Sequence, residues 1–152
     1  MLKAVALGLA VVAAATSLAM AEAVTFQTEQ LVIRTDDGPV ELTVEIADTP
    51  ERRGRGYMER VDIGPDDGML FVFGQPRRVS MWMQNTPTSL DMVFLLADGT
   101  VESIRESTVP FSRDIVSSAG EVSFVLEVLG GMSARWGLEA GDRLESSRFA
   151  NQ

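Results

Sequence analysis

Apolar and polar positions alternate along Val40, Leu42, Val44 and Ile46, with Glu41, Thr43 and Glu45 between them. A period of two turns one side of a strand to a core and leaves the other polar. The preceding stretch, about 24 to 34, is rich in β-formers and reaches this strand through Asp36-Asp37-Gly38, a turn signal that predicts a β-hairpin. Next, Asp48 or Thr49 can cap a helix whose first turn suits Pro50, while Gly54 and Gly56 weaken it. A short, arginine-bearing helix or turn is therefore expected between 48 and 60. Met69 to Phe73 is apolar throughout and too short for an ordinary helix, which predicts a strand covered on both faces. Ala97-Asp98-Gly99-Thr100 marks a second hairpin between the segments 93–96 and 101–107. Val122, Phe124, Leu126 and Val128 alternate again, with partly polar neighbours. Gly130-Gly131 then opens a short helical segment that Gly137 can end, and Gly141-Asp142 turns the chain into a last strand near 143–148.

Seven or eight short strands with two short helices predict an α+β fold, mainly β, built as a small curled or partly closed antiparallel β-barrel-like sheet. Closure removes exposed strand edges. No repeat or linker interrupts the chain, so residues 22–152 are expected to form a single domain. The residues before it read as a signal peptide, 1–21. Lys3 precedes a long uncharged apolar run, and small residues, Ala19 and Ala21, stand before Glu22. An uncleaved anchor is the alternative, since Ala4 to Ala21 approaches the ~20 residues needed to span a bilayer, but its alanine richness and small-residue exit favour cleavage. Periplasmic or secreted localisation follows as an expectation. Lipoprotein anchoring is excluded because no Cys follows the run.

Charge and missing residue types narrow the chemistry. Without Lys3, twelve arginines face twenty-two acids, a net charge of −10 that repels phosphate backbones and makes nucleic acid an unfavourable partner. No window pairs a basic face with an apolar one, so no membrane partner is expected after cleavage. The chain has no His and no Cys, and its only Lys lies in the leader. Ser-His-Asp and Cys-His catalysis, Schiff-base lysines and His or Cys zinc sites are thereby eliminated. No cofactor is expected.

Several blocks read together resemble the bacterial and archaeal domain of unknown function family 192: TPERRGRGYMER (49–60), GMLFVF (68–73), MWMQNT with LDMVFLLADG (81–99), and FVLEVLGG with GLEAGDR (124–143). The matching positions run from Thr49, Arg53, Gly56, Met58 and Arg60 through Gly68, Met69, Trp82, Met83, Asn85 and Thr86. They continue through Leu90, Asp91 and Gly99 to Gly141 and Asp142. The resemblance implies a compact β-rich α+β domain, often exported, and carries no activity with it. Gln84 stands where the family often has Lys, and Ser89 replaces its usual proline before Leu-Asp.

Candidate chemistry gathers between 80 and 94, in SMWMQNTPTSLDMVF. Met81 and Met83 would share one face of a strand with Trp82 on the other, so this tripeptide alone cannot build a thioether copper(I) site; Met58, Met69, Met92 and Met132 could supplement it after folding. The plainer role for methionine is filling gaps in a core, and no metal site is expected. Asp91 stands between Leu90 and an apolar run, and a buried carboxylate needs a partner, for which Arg53 and Arg60 are candidates. One alternative is a structural network holding the turn and helix to the sheet. The other gathers Arg53, Trp82, Asn85 and Asp91 into a shallow ligand-binding pocket. There Trp82 would stack on a ring or sugar, Arg53 would meet an anionic group, and Asn85 and Asp91 would fix orientation. These readings favour a small-ligand- or partner-binding module over an enzyme. A carboxylate-dependent hydrolase using Asp91 with Glu51 or Asp48, or a structural accessory of an envelope complex with an exposed apolar patch, are the alternatives. The Asp-Asp-Gly sequences at 36–38 and 66–68 fit turns better than calcium loops.

Overall fold

The computed structural model describes residues 23–149, so the segment expected to be a signal peptide lies outside the described residues. Strand β1 (Gln27–Thr35) turns through Asp36-Asp37 into β2 (Gly38–Ala47), the expected hairpin, and the two pair along their whole length. Helix α1 (Pro50–Arg55) follows at once. Thr49 is its cap, accepting a hydrogen bond from the Arg52 N–H at 3.3 Å, Pro50 opens the first turn, and Gly56 closes the helix at φ +46°. The helix carries the chain over to β3 (Asp67–Arg77), which pairs parallel with β2 and is the exception to an otherwise antiparallel sheet.

After the two-residue β4 (Ser80–Met81) come β5 (Leu90–Leu95) and β6 (Val101–Arg105), joined by the second expected hairpin. β7 (Val116–Ser117), β8 (Val122–Leu129), α2 (Met132–Arg135) and β9 (Leu144–Glu145) complete the order. Strands β4 and β9 are shorter than expected. Trp82 and Met83 already lie beyond β4, and the last strand is only two residues long. The main sheet runs β6-β5-β8-β3-β2-β1-β9, and β4 and β7 form a separate ladder.

This seven-strand sheet is strongly curled into a half-barrel. Its far ends approach through an isolated bridge between Thr100 and Arg143 and through bonds such as Val101 N–H to the Asp142 carbonyl, 2.8 Å. The curl encloses one apolar cluster, with Leu31, Leu42, Val44, Leu70, Val93, Phe124, Leu126 and Leu144 fully or almost fully buried. Phe149 closes it edge-on against Phe124 at 5.0 Å, and Met132 of α2 is part of the same cluster. A second cluster lies on the outer face of the central strands. Met69 and Phe71 of β3, Leu90, Met92 and Phe94 of β5 and Val125 of β8 are covered there by Tyr57, Ile63, Val79 and Met83 from the loops. With cores on both sides, β3, β5 and β8 bury both faces, and a strand so placed reads as continuously apolar.

Candidate functional site

The outer core is roofed by chain that leaves the sheet and returns. Segment 82–89 is stitched to segment 106–116 by Met83 N–H to the Ser112 carbonyl and Phe111 N–H to the Thr86 carbonyl, both 3.0 Å. Thr108 locks the base of this pair. Its hydroxyl donates to the Leu90 carbonyl at 2.8 Å and accepts from Leu90 N–H at 3.1 Å, and Ser89 Oγ donates to the Thr108 carbonyl. The loop after α1 is tied in as well, through Glu59 N–H to the Asn85 carbonyl at 2.8 Å and Thr88 Oγ1 to the Arg60 carbonyl at 3.0 Å.

Two features set these loops apart. Among the described residues, the non-glycine positions with left-handed backbone are Glu59, Asn85, Ser107 and Phe111, and all four lie here. That conformation suits Asn but is costly for a bulky side chain such as Phe111. The second feature is exposure. Trp82 is 47% exposed, Phe111 and Ile115 each 63% and Val109 69%. Met81 pairs with Val116, and continuing that register sets Trp82 opposite Ile115. A cleft of about 180 Å³ opens beside them, lined by Met83, Thr108, Val109, Ser112 and Val116 with Arg105 at its edge. The exposed Arg105, Glu106, Arg113 and Asp114 bring both signs of charge to this region.

Of the four residues expected to form a pocket, Trp82 and Asn85 belong to this face and Arg53 and Asp91 do not. Arg53 Nη1 donates to the carbonyls of Asp48 and Val72, each 2.9 Å, and its guanidinium lies 5.6 Å from the centre of the Phe73 ring, which packs on the outer core. Asp91 shares a face with Val93 and Leu95 and so points to the interior of the curl, on the other side of the sheet. Along β8, Val72 is opposite Phe124 and Asp91 opposite Val128, roughly 13 Å apart at ~3.3 Å per residue.

Asp91 is fully buried, yet its partner is neither Arg53 nor Arg60. Its Oδ1 accepts from the backbone N–H of Ser107 and Gly131 at 2.7 and 2.9 Å, and Oδ2 accepts from Ser133 N–H at 2.8 Å. With both oxygens engaged by backbone, it is sealed against a ligand and ties α2 to the sheet. Of the carboxylates considered as its catalytic partners, Asp48 is ion-paired with Arg52 at 2.7 Å.

Arg60 instead pairs with Glu45 at 2.7 Å and lies 5.1 Å from the centre of the Tyr57 ring. Glu127 of β8 is the unanticipated carboxylate, 4% exposed on the outer face, with no hydrogen bond or ion pair to its carboxyl among the described residues. Burial alone pushes its pKa up to about 8. The Tyr57 hydroxyl is also buried without a partner, and burial raises its pKa strongly, with the nearby charges of Glu45 and Glu127 adding to the effect. The signal for Glu127 was available in the sequence as the one charge inside the apolar run VSFVLEVL. That for Val109, Phe111 and Ile115 was apolar residues scattered among Pro110, Ser112 and Asp114, a pattern that makes no strand.

A larger cavity, about 470 Å³, opens between the β1–β2 turn and the loop after α2, beside Trp136 and Arg135. Two of its lining side chains are engaged within the protein: Arg34 pairs with Glu145, and Asp142 accepts from Glu139 N–H.

The model of the DUF192 family, described as an uncharacterized ACR, matches residues 31–146. Two solved structures share the fold. A protein of Sinorhizobium meliloti 1021, whose description proposes transcription regulation, is 44% identical, with a TM-score of 0.78 over 82% of this chain and 97% of that one. A protein of unknown function from Novosphingobium aromaticivorans DSM 12444 is 32% identical, with a TM-score of 0.77 over 84% of this chain and 94% of that one. No curated protein matches the chain significantly.

Proposed function

The chain belongs to the DUF192 family, and on that premise we propose that it is an exported, partner-binding module of the bacterial envelope whose contact surface is the loop-built face around Trp82 and Phe111. The observation that carries this reading is the exposure of Trp82, Val109, Phe111 and Ile115 on loops that hold Phe111 in a costly backbone conformation. Exposed apolar side chains grouped on one set of loops mark interaction sites, and apolar centres with charged rims are the anatomy of protein interfaces. A protein surface is favoured over a small molecule because the adjoining cleft, about 180 Å³, falls below the ~300–1,000 Å³ of ordinary ligand pockets. Export rests on the leader-like pattern of residues 1–21. The regulatory role attached to the S. meliloti relative is not carried over, since a net charge of −10 after leader removal disfavours nucleic acid.

The test is a photo-crosslinking residue at Ile115, with the same residue at the exposed Glu41 of β2 as control. In the native envelope, Ile115 should give one discrete protein adduct and Glu41 none. No adduct at Ile115, or the same products at both positions, would overturn the reading.

A further inference from the structure

We propose that Glu127, Met69 and Met92 form a binding site for a soft univalent cation, copper(I) or its analogue silver(I), on the outer face of the central strands. Strand register places the three side by side, with Met69 of β3 directly opposite Glu127 on one flank and Met92 of β5 directly opposite it on the other. Such partners project from the same face with Cβ atoms about 4.5–5.5 Å apart. All three are buried, Met69 and Met92 completely. Met83 lies in the same cluster and Met81 packs against it, so four methionines share this small volume.

Among the described residues no cationic side chain pairs with the Glu127 carboxyl, which is 4% exposed, and no protein group bonds it. The Tyr57 hydroxyl has no partner, and Arg60 is engaged by Glu45 and Asp62. Thioethers, a deprotonated carboxylate and a phenol oxygen all offer electron pairs, and one univalent cation entering as the Glu127 proton leaves to solvent keeps the site's charge unchanged. Hard divalent ions take oxygen ligands, six to eight of them for calcium, whereas no group of three His, Cys, Asp or Glu at metal-binding distance occurs among the described residues. Soft thioether donors select copper(I). This differs from the sulfur arrangement considered around Trp82, and it stands independently of the loop-built face, whose crosslink could fail without affecting it.

The test is a silver(I) titration of the purified protein carrying ¹³C-methyl methionine. One equivalent should shift the methyl resonances of Met69 and Met92 and leave Met132, in the interior of the curl, in place. Met69→Leu with Met92→Leu, nearly volume-conserving changes, should weaken binding at least 100-fold, and Glu127→Gln at least tenfold, with Met132→Leu unchanged. Shifts confined to the half-buried Met58 and Met81, or no stoichiometric binding at micromolar silver, would overturn the proposal. Should the double variant fail to fold, the methyl map of the unsubstituted protein decides alone.

Discussion

Glu127 shows how a single side chain can set the response of the molecule to pH. Its carboxyl ionises near 4.5 when the chain is unfolded and, because burial disfavours the charged form, only near 8 when folded. Between those values the folded state holds a proton that the unfolded state has released, so stability is fully present below pH 4.5 and falls as pH rises toward 8. The full difference is on the order of 5 kcal/mol. Glu127→Gln, neutral at every pH, should flatten the fall. Urea unfolding of both proteins at pH 5 and pH 8.5 checks this, and an equal decline in the two would assign the pH dependence to other groups. The sequence showed a lone charge in an apolar strand. That it faces a second core could not be read there, because alternation at Val122, Phe124, Leu126 and Val128 fits a strand with one polar face just as well.

At the scale of elements, α2 depends on a residue forty positions away. It is only four residues long, and Gly131 before it supplies no side-chain cap. Asp91, from β5, supplies the missing acceptors to the Gly131 and Ser133 N–H groups and also holds the Ser107 N–H. Asp91→Ala should cost about 3–5 kcal/mol, since three backbone donors lose their partner in a largely dry setting. The urea midpoint measures it; a loss below 1 kcal/mol would show that water replaces the carboxylate. The sequence made clear that Asp91 needed a partner and pointed to arginine, the usual counter-charge. Backbone N–H groups leave no mark in composition, so the true partners were not legible. Elements with local signals fared better: the β1–β2 hairpin, the Thr49-Pro50 helix start and the β5–β6 hairpin stand where alternation, caps and turn residues placed them. The parallel β2–β3 pairing had no such signal, because it is decided by where α1 delivers the chain.

Across the whole molecule, a curled sheet with cores inside and out leaves Val24, Val61 and Leu96 exposed singly, but Trp82, Val109, Phe111 and Ile115 are presented to solvent together on the loops where non-glycine residues adopt left-handed backbone. The curl itself was legible from the number and spacing of short strands. The exposed loop face was half legible: Trp82 and Asn85 stood out by type, whereas Val109, Phe111 and Ile115 join them only through the stitching of two loops some twenty-five residues apart. If this face exists for a partner, its aromatic residues contribute little to the fold, and Asn would suit the backbone at position 111 better than Phe does. The most direct measurement is therefore the Trp82→Ser, Phe111→Asn double variant, assayed for unfolding free energy in isolation and for retention of its partner in the envelope. The account predicts stability unchanged or raised with the complex lost. A complex that survives, or a loss of stability beyond about 2 kcal/mol, would contradict it.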